Sequence, residues 1–387
     1  MVVTAEGLSW SRADLTDKEV GELVAALRAH LAPDRTSTTG VPSFDRGKAY
    51  QLYEQLIAPL ADALKDKHTV YVAASGALTS LPFEVLVTKP PQGNDDDPAA
   101  LRATSWLGDS YALVQIPSLQ SLDFIRRFSS GSGQSADGFG AGGFAGFGDP
   151  VLSDPLTPAQ VAAAQATANT NVFGPKRSRD GGGIADVAAL RTLPSLPGTA
   201  LELDDMRSAL GAPLTSIRLR EQDTETAVHN ADLSQVRVLA FATHGLLAGA
   251  VGGGSEPGLV FTPPDVPGEA DDGLLTASEI TTLTLNADWV ILSACNTAAG
   301  DRSGEGLSGL ARAFFYAGAR SLLASHWPVR DDVTAELTVA AIKAQQGGMS
   351  RAEALQFAAR QIRNDLTDPT RADPSAWAPF SLVGEGR

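Results

Sequence analysis

The sequence predicts an α/β protein built on a mainly parallel sheet flanked by helices, and two observations carry that expectation. Short apolar runs at 236–241, 289–292 and 321–324 are bounded by polar and glycine positions. Their length and uniform hydrophobicity are those of strands covered on both faces. Segments of helical period alternate with them. Leu307, Leu310, Ala311, Phe314 and Phe315 form an apolar stripe that Gly318 stops, and helices follow at 333–345 and 351–366. The last opens with Ser350 and Glu353, spaced as a capping box. Strand–helix alternation of this kind gives a parallel sheet with helices on both faces.

Taken in order, residues 1–45 read as a helical extension, with Val20, Leu23, Val24, Leu27 and Leu31 near a 3.6-residue period. Residues 46–128 form a first half. Here a helical pattern at 49–64 (Leu52, Leu56, Leu60, Leu64) leads to strands at 70–74 and 111–116, and 81–86 packs back between them. Residues 129–192 are Gly-, Ser- and Ala-rich without a clear period and read as a flexible insertion. Residues 193–387 form the second half, where the alternation is sharp.

The chain has 387 residues, enough for two or three lobes and a sizeable core. Its 45 acidic against 30 basic residues give a net charge of −15. That balance argues against direct nucleic-acid binding, which needs a basic surface, and favours basic partners or substrates. No apolar run reaches the ~18–20 residues that span a bilayer, and the N-terminus lacks a basic-then-apolar export signal. A single cysteine forms no internal disulfide, so the cytoplasm is the expected compartment.

That cysteine is the most informative residue. Cys295 follows the run at 289–292, and His244 follows the run at 236–241, 51 residues earlier. Functional groups in open α/β sheets collect at the carboxyl ends of strands. A thiol of ordinary pKa is mostly protonated at neutral pH, so a nucleophilic cysteine needs an imidazole beside it. Gly245, directly after the histidine, lets a backbone N–H approach a substrate closely. The N–H groups of Gly245 and Cys295 together suit an oxyanion hole. Taken singly, a lone Cys or His after an apolar strand is more often packed core. The joint placement is what points to a dyad.

These stretches resemble a CHAT domain, the caspase-like peptidase domain often found behind tetratricopeptide repeats and related to separase. The resemblance runs through Phe241-Ala242-Thr243-His244-Gly245, Leu274-Leu275-Thr276-Ala277-Ser278-Glu279-Ile280 and Leu292-Ser293-Ala294-Cys295-Asn296-Thr297. It continues in 306–319, Ser325-His326-Trp327-Pro328-Val329, Trp377-Ala378-Pro379-Phe380, and upstream in Leu81-Pro82-Phe83, Gly108-Asp109 and Phe147-Gly148-Asp149-Pro150. It covers roughly residues 45–387. It implies a caspase–haemoglobinase fold and hydrolysis of peptide bonds in a protein substrate through a thioester. Cys295 matches the nucleophile, His244 the general acid–base, and residues 46–128 a non-catalytic half that carries neither. No helical repeat is found, so the resemblance leaves recognition and activation to a scaffold or activating protein, or to a longer parent chain.

The same resemblance places a substrate pocket in the loop after the strand that follows the cysteine, with Trp327, Asp331 and Asp332. A carboxylate there suits a substrate Arg or Lys; equally, either aspartate suits the N-cap of the helix starting near Val333. Gly304-Glu305-Gly306-Leu307-Ser308-Gly309 fits a dinucleotide fingerprint but lies too far beyond its strand, and no Walker A pattern occurs. The five histidines (30, 68, 229, 244, 326) and one cysteine lack zinc spacing, so no cofactor or metal is expected. His326 either lines the cleft or is structural, and Asp301 and Glu305 are loop charges or substrate contacts. Two functional readings stand on the sequence: a cysteine endopeptidase, and a catalytically silent docking module of the same fold.

Overall fold

The computed structural model describes residues 1–33, 41–129, 143–152, 185–196, 198–246, 256–268, 270–293, 306–327 and 331–387; the side chains of 128–129, 306–308 and 331 are outside that description. Its frame is one eight-stranded sheet formed by β1 (Thr69–Val72), β2 (Ala112–Gln115), β3 (Phe144–Gly148), β4 (Ile217–Leu219), β5 (Val238–Ala242), β6 (Trp289–Leu292), β7 (Ser321–Ser325) and β8 (Phe380–Gly384). Their order across the sheet is β1-β2-β8-β7-β6-β5-β3-β4. Every pairing is parallel except β7 with β8. Strands from both halves of the chain thus share one sheet.

The uniform hydrophobicity of the strands has a direct structural cause. Val238, Ala240 and Ala242 of β5, with Trp289 and Ile291 of β6, point into one apolar layer. That layer is covered by α1 (Asp17–Leu31), α2 (Arg46–Leu56), α4 (Gly198–Ala209), α6 (Asp331–Gln346) and α7 (Arg351–Asn364). Leu239 and Phe241, with Val290 and Leu292, point into the opposite layer under α3 (Leu119–Ser129) and α5 (Gly306–Ala317). Side chains alternate across a strand, so burial on both faces demands an apolar residue at every position. Each large one contributes about 1.5–3 kcal/mol relative to exposure.

Local chemistry sets the ends of the helices. Thr16 with Glu19 and Ser350 with Glu353 form capping boxes at α1 and α7. Gly318 stops α5 at φ +112°, where a Cβ would stand 2.3 Å from the Leu285 carbonyl. The helix expected over 49–64 is broken: α2 ends at Leu56, and a 3-10 turn at Ala58–Leu60 and a short helix at Ala61–Leu64 follow. Pro59 lacks the N–H that would continue the ladder, and its ring clashes with the carbonyl of Gln55. A second departure is β3, which forms inside the stretch read as Gly-rich insertion. Gly148 is needed there, because a Cβ would come 2.7 Å from the Ala242 carbonyl and 2.9 Å from Leu203 of α4. Small residues here let α4 close on the sheet. The remainder of that stretch, 130–142 and 153–184, lies outside the described residues.

At the edge where β5, β6 and β7 begin, one carboxylate gathers the chain. Asp288, just before β6, accepts from Arg237 before β5 at 2.7 Å and from Arg320 before β7 at 3.0 Å, and Arg351 of α7 lies 3.6 Å away. Arg351 also donates to the Glu385 carbonyl at 3.0 Å, while the Glu385 carboxylate pairs with Arg126 and accepts from the Tyr71 hydroxyl at 2.6 Å. All but Arg237, Arg126 and Tyr71 are buried. Removing the central carboxylate leaves buried guanidinium groups uncompensated. Asp288→Ala is therefore expected to lower unfolding free energy by about 3–5 kcal/mol in urea titration at pH 7; a loss below about 1 kcal/mol would show that the arginines do not depend on it.

Candidate active site

The site is built at the opposite edge, where β3, β5, β6 and β7 end. The last register pairs there are Phe241 with Leu292 and Ala242 with Gly148. Beyond Ala242, Thr243 is buried and its hydroxyl donates to the Val260 carbonyl. The chain then leaves the large sheet. Gly245–Leu246 becomes the first strand of a three-stranded antiparallel sheet with Gly258–Val260 and Leu274–Thr276. His244 stands at the corner, where the two sheets meet.

The corner fixes the histidine's backbone and ring together. Its carbonyl accepts from Val260 N at 2.9 Å, and its ring, half-buried, places Nε2 2.7 Å from the Pro194 carbonyl. A carbonyl only accepts, so Nε2 carries the proton, and in the neutral ring Nδ1 is left with the lone pair. Burial pushes the imidazole pKa below its usual value, with the Pro194 contact opposing it. His244 is thus a neutral base at pH 7, presented through Nδ1. The Val260–His244 bond also makes Gly245 and Leu259 a non-hydrogen-bonded pair. The ladder therefore does not take up the Gly245 N–H.

Cys295, with Asp301 and Glu305, lies outside the described residues. The chain leading to it is described as far as Ser293. Ser293 N donates to the Phe241 carbonyl at 3.0 Å, and its hydroxyl donates to Glu202 Oε2 at 3.0 Å. Glu202 sits on the buried side of α4, 2% exposed, beside Thr199, Leu203 and Met206. Pro194 and Glu202, eight residues apart, therefore touch the histidine and Ser293, the last described residue before Cys295. Neither contact was legible in the sequence. Pro194 acts through a backbone oxygen, which has no side-chain signature; a glutamate on the apolar stripe of α4 was the only signal for Glu202.

Trp327 and His326 follow β7 and are both buried. The Trp327 indole donates to the Ser375 carbonyl at 2.9 Å. His326 contacts Ser381 Oγ through Nε2 at 2.8 Å, and its amide donates to Pro379. Of the two roles open to His326 in the sequence, its complete burial and these contacts fit the structural one. Burial, with the Arg28 guanidinium nearby, drives its pKa down to about 3. Asp331 is the first residue of α6. Asp332 is exposed, 4.0 Å from Arg371, which pairs more closely with Glu336 and Asp365.

A second polar cluster shares this edge. Asp149 directly follows β3 with φ +51°, and Arg220 follows β4 with φ +55°. Asp223 is completely buried. Burial raises the pKa of both aspartates, Asp223 well above the usual range, where the Asp149 charge adds to the effect; Arg220 pulls Asp149 the other way. Among the described residues, no group of three or more His, Cys, Asp or Glu is arranged to hold a metal ion, and no helix is long and apolar enough to cross a membrane.

Among known proteins, the family model described as CHAT domain matches residues 46–385. Mouse tetratricopeptide repeat protein 28 is 32% identical over 111 residues, 29% of this chain and 4% of that protein. Among solved structures, the Saccharomyces cerevisiae separase–securin complex aligns over 95% of this chain and 22% of its own, at 10% identity and a TM-score of 0.38. The Arg-specific cysteine proteinase gingipain R aligns over 97% of this chain and 79% of its own, at 8% identity and a TM-score of 0.41. The chain thus spans a small part of the mouse and yeast proteins.

The histidine environments differ enough to be separated by NMR titration. His244 should titrate below 6.5 and His326 remain neutral to about pH 4. His30 should titrate above 6.5: burial opposes its charge, but Asp373, at 2.8 Å, outweighs it together with the Pro42 carbonyl and Asp96. Because the unfolded chain protonates His326 near 6.5 and the folded chain near 3, its contribution to stability is present above 6.5 and lost as pH falls through that window. A His326 resonance titrating near 6.5 would contradict the buried placement.

Proposed function

The chain belongs to the CHAT domain family, and from that premise we propose that it is a cysteine endopeptidase acting on a protein substrate. The observation that carries this reading is the placement of His244: a neutral imidazole at the carboxyl end of a central strand, its Nε2 proton held by the Pro194 carbonyl. Cys295 stands three residues beyond Leu292, as His244 stands three beyond Leu292's partner Phe241. It is tethered two residues past Ser293, within about 7 Å of it along the chain. The parallel register of the two strands and this short tether support pairing the thiol with the imidazole.

In the proposed reaction, Nδ1 of His244 takes the thiol proton and Cys295 Sγ attacks the scissile carbonyl carbon. The N–H groups of Gly245 and Cys295 receive the oxyanion. The C–N bond breaks as His244 protonates the leaving amine, which leaves a thioester. Water, deprotonated by His244, then releases the acid and restores the thiol. Residues 193–387 are the catalytic half, 46–128 its companion, 1–45 an extension and 129–192 an insertion. The substrate pocket is assigned to Asp331 and Asp332, rooted by the buried Trp327. A carboxylate there, in a chain of net charge −15, suits a substrate Arg or Lys. The lone cysteine favours the cytoplasm, and a scaffold or activating protein supplies partner recognition.

Cleavage of a diverse peptide library by the full chain, with and without lysate of the source cells, tests this. Cys295→Ala and His244→Ala should each lower turnover by about 10³-fold or more. Products should end in Arg or Lys, and Asp331→Asn should weaken that preference. Absence of any Cys295-dependent product under either condition would overturn the peptidase in favour of the docking module.

A further inference from the structure

The cluster beside β3 and β4 poses a physical problem that the proposed peptidase chemistry does not resolve. Both carboxylate oxygens of Asp223 and Oδ1 of Asp149 are buried without a hydrogen-bond partner, and Asp223 is 0% exposed. Its amide donates to the Arg220 carbonyl at 3.0 Å and its carbonyl accepts from Thr262 N at 2.8 Å, so the backbone is held while the carboxylate is not. Arg220 does not fill the role. Its guanidinium is exposed and lies 3.5 Å from Asp149 Oδ2 and 4.0 Å from Glu221 Oε1. A proton shared between Asp223 and Asp149 would satisfy one oxygen of each and leave the second Asp223 oxygen without a donor. A buried carboxylate in this position calls for a bound cation.

We propose that Asp149 and Asp223 are the carboxylate ligands of a divalent-cation site of the calcium class, at the sheet edge beside His244. Both residues are on irregular loops, where carboxylates combine readily with backbone carbonyls and water. Calcium accepts six to eight such oxygens in flexible geometry, whereas magnesium demands a near-ideal octahedron.

The hydrogen-bond pattern shows what occupancy would do. Arg220 N donates to the Asp149 carbonyl at 3.1 Å, tying the loop after β3 to the loop after β4. The Thr262 hydroxyl donates to the Arg220 carbonyl at 2.6 Å and accepts from Val151 N at 2.8 Å. Two residues earlier, Val260 N holds the His244 carbonyl. A cation between the aspartates would brace this set of loops, and with it the corner that carries the histidine.

The test uses the full chain, stripped with EGTA and dialysed. CaCl₂ or MgCl₂ is titrated at matched ionic strength, with isothermal calorimetry and thermal unfolding as readouts. Saturable calcium binding with Kd between about 1 µM and 1 mM, and a rise in Tm of about 3–5 °C at saturation, are expected. Asp223→Asn and Asp149→Asn should each weaken binding at least tenfold. If Asp223→Asn does not fold, Asp149→Asn, whose other oxygen already lies beside the exposed Arg220 guanidinium, decides alone. No saturable calcium binding, binding unchanged in the variants, or an equal response to magnesium would overturn the proposal. Neither readout needs peptidase activity, so this outcome is independent of the peptidase assignment.

Discussion

The structure depends on the parallel pairing of β5 with β6, sealed by apolar layers on both faces. The register of Phe241 against Leu292 is fixed because a one-residue slip would turn Leu239 and Phe241 out of one layer and Val238, Ala240 and Ala242 out of the other. The two layers are packed with side chains of different size, so neither accepts the exchange. Thr243 and His244 after one strand and Ser293 after the other are therefore delivered to the same end of the sheet.

The sheet's two ends divide the polar work. Where β5, β6 and β7 begin, Asp288 collects arginines from three elements and locks the strands against α7. Where they end, polar groups are arranged around gaps rather than closed upon each other. The histidine ring is held from one side only, the Gly245 N–H is left out of its ladder, and Asp223 is buried without a partner. Satisfied networks stiffen a fold; groups kept in place with bonding capacity to spare are what a site needs.

The N-terminal helix belongs to this frame rather than being appended to it. Leu23, Val24, Leu27 and Leu31 enter the same apolar layer as β5 and β6. Arg28 donates to the carbonyls of Ser80 and His326, and His30 bridges Pro42 and Asp373. Through His326 the helix reaches the chain just after β7, where the Trp327 indole is anchored on the Ser375 carbonyl.

The sequence by itself determined the strands at 70–74, 111–116, 236–241, 289–292 and 321–324, the helices that open near 307, 333 and 351, the capping box at Ser350, the stop at Gly318 and the family resemblance. Each of these depends on neighbours within a few residues or on a repeating apolar pattern. It also singled out His244, because a histidine followed by glycine at a strand end is a local signal. Only the tertiary structure decided which strands meet, that Phe144–Gly148 joins them, and that Pro194, Glu202 and Asp223 converge on the same edge. Pro194 acts through a main-chain oxygen, and the role of a carboxylate such as Asp223 depends on whether anything lies opposite it. Contacts between residues tens of positions apart are set by how the layers pack, and a sequence read along its length does not display that.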